Sequence, residues 1–145
     1  MAGPHFSYVL SGPMPHQDTG ANSRPETPPR PYGGELNSAI ARGVVRRHTQ
    51  FTGRGPSRAR AFFNGNIVVV ILEDAMTPTE QSLAAAGKAD AVRQMRRASQ
   101  ATMRDELVAV VEEVTGSTVV AFMSDNHVEP DLAAEVFVLE RPVSG

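Results

Sequence analysis

The chain contains no cysteine. That absence excludes disulfides, thiolate metal sites and cysteine nucleophiles together, and it is typical of a cytosolic protein. Long apolar runs are missing as well: the longest, Ile67–Leu72, is far shorter than the ~20 residues that a membrane-spanning helix needs. The N-terminus lacks a basic region followed by an apolar one, so we expect no secretory signal. A cytoplasmic protein that does not insert into a membrane is therefore expected.

The chain also lacks a strong net charge, since its formal charge is −2 and its pI is about 6.1. No overall field draws it to nucleic acid or to anionic lipid. Its 145 residues, of which 41% are hydrophobic, are enough for one domain with a substantial core.

Residues 1–33 hold seven of the eleven prolines and show no periodic apolar pattern. Such a segment buries too little apolar surface to offset its conformational entropy. We therefore predict a disordered or extended tail, followed by a single domain over residues 34–145. The tail contains one small apolar patch suited to docking on a partner, formed by Phe6, Tyr8, Val9 and Leu10.

The remainder of the chain contains two similar units, each a helix followed by a β-hairpin. Asn64-Gly65 between two strand-like runs is a strong hairpin signal, because both turn positions need positive φ. Thr77 and Glu80 form a capping box that opens a helix. The pattern predicts helices at about 35–51, 78–86 and 88–115, strands at 58–63, 66–72, 118–123 and 135–140, and a polar loop at 124–132. The predicted fold class is α+β, with a four-stranded, mostly antiparallel sheet and the long helix packed across it.

The strand Ile67–Leu72 is apolar at every position, which is typical of a strand inside a sheet that is buried on both faces. We therefore expect cover on both faces of the sheet, with one cover supplied by another subunit.

The long predicted helix carries basic residues first and acidic residues last, the order that a helix macrodipole disfavours. Asp90 and Arg93 are its only opposite charges at a spacing of three or four residues. A basic half followed by an acidic half would match a second copy laid antiparallel, as in a two-fold dimer. We therefore predict a homo-oligomer built on this helix. The predicted self-association residues are Arg93, Arg96, Arg97, Arg104, Asp105, Glu106, Glu112 and Glu113.

Glycines and arginines after the first helix form a candidate anion site. Consecutive glycine amides can cradle an anion, and nearby arginines can close the site around bicarbonate, phosphate or a carboxylate. The alternative is that the glycines end a helix and the arginines are solvated. The candidate residues are Gly53, Arg54, Gly55, Arg58 and Arg60.

The polar loop after the third strand offers weak metal candidates, namely Asp125, His127, Glu129 and Asp131. It does not match a calcium loop, because Pro130 stands where glycine is needed and Val136 where the bidentate glutamate is needed. A solvated loop is the alternative that we favour, and we expect no cofactor. We also expect no enzyme, since no pair of groups has the spacing of acid–base or nucleophilic chemistry. A deep pocket holding His127 or His48 beside a carboxylate would be needed to change that expectation.

Single-stranded nucleic-acid binding is a further alternative. It would use basic residues with stacking aromatics on an exposed sheet face. Adjacent phenylalanines point to opposite faces of a strand, so at most one of the pair is available, and we do not expect nucleic acid to bind. The residues concerned are Arg42, Arg46, Arg47, Arg54, Arg58, Arg60, Phe62 and Phe63.

Four short motifs together resemble the MpsC-like family. They are Thr52-Gly53-Arg54-Gly55-Pro56 before a hairpin, Thr77-Pro78-Thr79-Glu80 at a helix start, Thr115-Gly116 with Val119-Val120, and Ser124-Asp125 ahead of Glu135–Leu139. The resemblance covers about residues 34–140. It implies a small accessory or regulatory component beside the membrane subunits of a sodium-translocating, membrane-potential-generating system that is also connected with inorganic carbon uptake. It therefore implies a membrane-protein partner, and it carries over no catalytic residues.

Overall fold

A computed structural model describes residues 5–6 and 33–143. Within these residues, three helices and five strands follow one another in the order β-α-β-β-α-α-β-β. Their bounds are β1 His5–Phe6, α1 Gly33–Thr52, β2 Arg58–Asn64, β3 Ile67–Glu73, α2 Pro78–Ala85, α3 Ala89–Thr115, β4 Val119–His127 and β5 Leu132–Leu139.

All five strands form one sheet in the order β1-β2-β3-β5-β4, and every neighbouring pair is antiparallel. The predicted α+β class with its four-stranded sheet and long helix is confirmed. The prediction missed β1, which pairs His5 with Phe63 at the edge of the sheet. The sheet therefore has one short strand more than the sequence pattern indicated.

The core lies between the sheet and the helices α1 and α3. On β3 every second residue is fully buried, with Val68, Val70 and Leu72 at 0% exposure. These side chains belong to the same cluster as Ile40 of α1 and Leu107 of α3. Because side chains alternate along a strand, one face of the sheet carries the whole core. We call this the inner face and the opposite one the outer face.

The region 124–132, predicted to be a polar loop, is mostly strand. Ser124 to His127 continue β4 and pair with β5, opposite Glu135 to Leu132, so that only a short turn separates the two strands. The polar side chains of this stretch are compatible with the sheet because Asn126 bonds to Gln100 of α3 on the inner face. Two hydrogen bonds to α3 thus satisfy the Asn126 amide in a strand whose polarity is typical of a loop.

Helices α1 and α3 approach each other closely at Gly43. A Cβ added at that position would lie 2.4 Å from Cγ1 of Val110, which is far below contact distance. Valine is stiff about χ1, so its methyl group cannot turn away freely. The glycine therefore serves helix packing.

Replacing Gly43 by alanine should lower the free energy of unfolding by about 1–2 kcal/mol. The overpacking cost of roughly 1–3 kcal/mol exceeds the gain in helix propensity of about 1 kcal/mol. Urea denaturation would measure the change. Gly34→Ala is the matched control, because no atom lies within 4 Å of its added Cβ. If Val110→Ala does not relieve the cost of Gly43→Ala, the contact is not its cause.

Candidate functional site

The outer face of the sheet carries apolar side chains that the described elements leave partly uncovered. Phe62, Val69, Ile71, Val136 and Val138 are half-buried there. Ile67 is 43% exposed and Met123 is 55% exposed. A contiguous apolar patch of this kind marks an interaction surface in most soluble proteins.

The strand register arranges these side chains in straight rows across the sheet. One row runs Phe62, Val69, Val136, Met123 across β2, β3, β5 and β4. The next row runs Arg60, Ile71, Ala134, Asp125. The outer face therefore combines an apolar centre with a cation at its β2 side and an anion at its β4 side.

The sequence predicts that both faces of the sheet are covered, and the described helices cover only the inner face. The inner face is covered by α1 and α3, whose buried residues join the core cluster. Within residues 5–6 and 33–143, the outer positions of β3 are not covered completely: Ile67 is exposed, and Val69, Ile71 and Glu73 are half-buried. The apolar character of Ile67, Val69 and Ile71 is therefore unexplained by the described part of a single chain.

The three arginines of the candidate anion site pair with two adjacent carboxylates. Arg54 donates to the Met76 carbonyl and to the Asp74 carboxylate. Arg60 lies 3.1 Å and Arg58 lies 3.7 Å from the Glu73 carboxylate. The structure therefore gives each arginine an acidic partner within its own chain.

The glycines of this set are explained in part by local structure. Gly53 has φ of +78°, and its N–H donates to the Thr49 carbonyl at 2.9 Å, which closes α1. This left-handed conformation at a helix end favours glycine for a structural reason. Anion binding by Gly53, Arg54, Gly55, Arg58 and Arg60 stays a prediction.

Two of the weak metal candidates already have partners within the chain. Asp131 uses one carboxylate oxygen for Arg96 and the other for the Met76 N–H, at 2.9 and 2.8 Å. His127 Nδ1 lies 2.8 Å from the Pro130 carbonyl. The described residues contain no group of three or more acidic or histidine side chains that could hold a metal ion.

The charged side chains of α3 differ in their burial and in their partners. Arg96 is only 5% exposed and points into its own chain, so its prediction as a self-association residue is corrected. Arg93 pairs with Asp90, and Glu112 accepts from the Val119 N–H at 2.9 Å. The remaining predicted self-association residues are exposed, namely Arg97, Arg104, Asp105, Glu106 and Glu113. Pairing of this helix with a second copy stays a prediction.

Arg96 joins three elements through buried charges. Its guanidinium lies 2.9 Å from Asp131, in the turn between β4 and β5, and 3.9 Å from Glu80 of α2. Glu80 also accepts from the Thr77 N–H at 3.0 Å, so the predicted capping box is present and tied to this ion pair. All three charged side chains are largely buried, so each one depends on the others for its charge balance.

A second buried polar group lies beside it. Gln100 donates to Asn126 at 3.0 Å and to Glu135 Oε1 at 3.1 Å. Glu135 is fully buried, and its Oε2 has no hydrogen-bond partner among the described residues. Burial, opposed by hydrogen bonds and by the charge of Arg96, raises the pKa of Glu135 to about 7.

His48 lies on the α1 side of the same region. Burial, followed by the positive charge of Arg96, lowers the pKa of His48. The cavity that His48 shares with Glu80, Arg96 and Gln100 has a volume of about 20 Å³. That volume holds about one water molecule, so it is too small for an organic substrate.

His127 lines a more open groove with Glu129 and Asp131, beside α2 and the start of α3. Its volume is about 600 Å³. Both oxygens of Asp131 are already engaged. The groove therefore brings a histidine close to carboxylates, as the enzyme alternative required, but one of these carboxylates is committed to structure.

The residues of the nucleic-acid alternative are divided between two sides of the molecule. Phe62 and Arg60 lie on the outer face, whereas Phe63 is buried on the inner face. Arg42, Arg46 and Arg47 line a groove of about 250 Å³ between α1 and α3. They are therefore not positioned to act together with Phe62 on one strand of nucleic acid.

The docking patch predicted in the tail is described only in part. Phe6 belongs to β1, opposite Phe62. Tyr8, Val9 and Leu10 lie outside the described residues, as does most of the predicted tail.

None of the helices described is both long enough and apolar enough to cross a membrane. The fold and the outer face define a small α+β domain whose helices pack on one side of an antiparallel sheet. Residues 33–141 match the family model described as "Na+-translocating membrane potential-generating system (MpsC)". The chain belongs to the MpsC family, which confirms the resemblance seen in its motifs. No curated protein and no solved structure gives a significant match.

Proposed function

We propose that this chain is a non-enzymatic accessory subunit of the Na+-translocating membrane system after which its family is named. It acts by assembling with other protein chains, in the cytoplasm at the membrane surface. The observation that carries the proposal is the outer face, which the described residues leave partly open and where Ile67 and Met123 present apolar surface to solvent. Exposing apolar side chains to water costs free energy in a monomer, and such exposure is typical of a surface that binds protein.

The arrangement of titratable groups supports a non-enzymatic role. Arg96, Glu80 and Asp131 neutralise one another inside the fold. The cavity beside His48 holds about one water molecule. These groups stabilise a scaffold.

Val136→Lys should abolish the function of the chain without altering any titratable group. Cells lacking the chain should lose Na+-dependent membrane potential, measured with a voltage-sensitive dye, and the wild-type chain should restore it. Val136→Lys should restore less than a tenth of the difference, because it places a charge in the centre of the outer face. Val120→Lys is the matched control, since Val120 is 61% exposed in the irregular part of β4.

Full restoration by Val136→Lys would contradict a role for the outer face. No change of membrane potential in cells lacking the chain would contradict the proposed function itself. Circular dichroism of the purified variants would establish that both lysine variants are folded.

A further inference from the structure

We propose that the outer face binds a second copy of this chain, in a two-fold dimer whose axis runs parallel to the strands between β3 and β5. This inference rests on the proposed function, because it names the occupant of the same surface. It differs from the pairing of two α3 helices that the charge order of the sequence predicts.

The charge pattern of the outer face carries the inference. A two-fold axis along the strands places β2 of one copy over β4 of the other, with each row facing the same row. Arg60 and Asp125 stand at opposite ends of one row. Arg60 of each copy then faces Asp125 of the other, and these two contacts extend the ion pairs that Arg60 makes with Glu73 and Asp125 makes with Arg97 within each chain.

The shape of the face agrees with this arrangement. A depression of about 340 Å³ lies around the small side chain of Ala134, between Ile71, Leu132 and Asp125. The same axis places Ile71 of one copy over Ala134 of the other. In the neighbouring row it places Phe62 over Met123, and contacts between sulfur and aromatic rings are favourable.

The size of the face is sufficient for a dimer. Strands about 4.8 Å apart, with same-face residues about 6.8 Å apart, give β2, β3, β5 and β4 a face of roughly 20 by 25 Å. Two such faces bury on the order of 1,000 Å², which is the lower range for a specific interface. Stacked sheets pack with strands about 30° apart, which keeps the facing rows close.

The β4 edge of the sheet is less suited to self-association. The strand carries an irregularity there between Val119 and Ala121. Bulged edges discourage pairing with another strand, so the outer face is a better surface for a second copy than this edge.

Charge exchange tests the interface in a way that contacts within one chain cannot imitate. Arg60→Glu alone and Asp125→Arg alone should each weaken the homodimer at least tenfold, because like charges then face each other. An equimolar mixture of the two variants should form a heterodimer with nearly the wild-type dissociation constant. In that mixture both facing pairs are again opposite in charge. Sedimentation equilibrium and native mass spectrometry of the full chain would measure this.

Two further variants control for local effects. Arg58→Glu is the matched control, because Arg58 also pairs with Glu73 but would face His127 of the second copy. It should change the dissociation constant less than about threefold. Val136→Lys should weaken the dimer at least 100-fold, since it places an unpaired charge at the centre of the interface.

Three results would overturn the inference. The first is a wild-type chain that stays monomeric at millimolar concentration. The second is a dimer that survives Val136→Lys or is not restored by mixing the charge variants. The third is a dimer disrupted by Glu113→Lys on α3 but not by Val136→Lys, which would place the interface on the helix. If dimerisation fails while Val136→Lys still abolishes membrane potential, the proposed function stands and the occupant is another protein.

Discussion

Replacing Arg96 by methionine should lower the free energy of unfolding by about 3–5 kcal/mol. The substitution keeps the apolar volume of the stem but leaves Glu80 and Asp131 as largely buried carboxylates without their shared cation. Losing one partner of a buried ion pair costs far more than the pair contributes as a whole, because the remaining charge has lost its solvation. Urea denaturation at fixed protein concentration would measure the change.

The adjacent arginine is a matched control for this variant. Arg97 is 64% exposed and lies 3.9 Å from Asp125, which is 74% exposed. Arg97→Met should therefore change the free energy of unfolding by less than about 0.5 kcal/mol. The triple variant Glu80→Gln, Arg96→Met, Asp131→Asn should recover most of the loss, since it removes all three charges of this cluster together. An Arg96→Met variant within about 1 kcal/mol of the wild type would show that the cluster is solvated rather than buried.

Local signals in the sequence were sufficient for most of the fold. The hairpin at Asn64-Gly65 follows from positive φ at the turn, and Gly65 has φ of +58°. The start of α2 follows from the capping box of Thr77 and Glu80, which the structure contains. Each of these signals depends on residues a few positions apart, so no knowledge of the tertiary structure is needed.

The parts that were wrong depend on distant partners. Ser124 to His127 have the composition of a loop, and they form a strand because Gln100, far away in the sequence, bonds to Asn126. Gln100 and Arg96 are buried among the core positions of α3. Both residues lie at helical spacing with Val92 and Met103, and this pattern is the signal in the sequence that could have indicated a buried polar cluster.

The order of charges along α3 shows the same limit. Local spacing along the helix indicates only partners three or four residues apart, and of these the pair Asp90–Arg93 is present. Arg96 is neutralised instead by Glu80 and Asp131, which come from other elements and lie far from it in the sequence. A helix whose charges oppose its dipole can therefore be stabilised within its own chain. Self-association through α3 is not needed to explain Arg96.

The outer face was partly foreseen from β3. A strand that is apolar at Ile67, Val69 and Ile71 as well as on its inner side indicated a second cover. The position of Arg60 and Asp125 in one row depends on the order β2-β3-β5-β4, which the sequence did not predict. The self-complementary charge pattern therefore became visible only with the register.

Glu135→Gln should remove a pH-dependent loss of stability of about 3 kcal/mol. The pKa of Glu135 rises from 4.5 to about 7 in the folded chain, and each unit of pKa corresponds to about 1.4 kcal/mol. The folded state binds the proton of Glu135 more tightly than the unfolded state does. The stability that protonated Glu135 contributes is therefore fully present below pH 4.5, and this contribution is lost as the pH rises through about 7. Glutamine keeps the acceptor for Gln100, 3.1 Å away in the wild type, without the charge.

The difference in unfolding free energy between the variant and the wild type isolates this effect. His48, whose pKa is lowered by burial and by Arg96, acts in the opposite direction below pH 6.5, but it is common to both proteins and cancels. Urea denaturation from pH 4.5 to 8.5 should show Glu135→Gln gaining on the wild type by about 3 kcal/mol, most of it between pH 5 and 7.5. The exposed Glu106→Gln control should show a flat difference. A flat difference for Glu135→Gln as well would mean that this carboxylate reaches water or a cation in the folded chain.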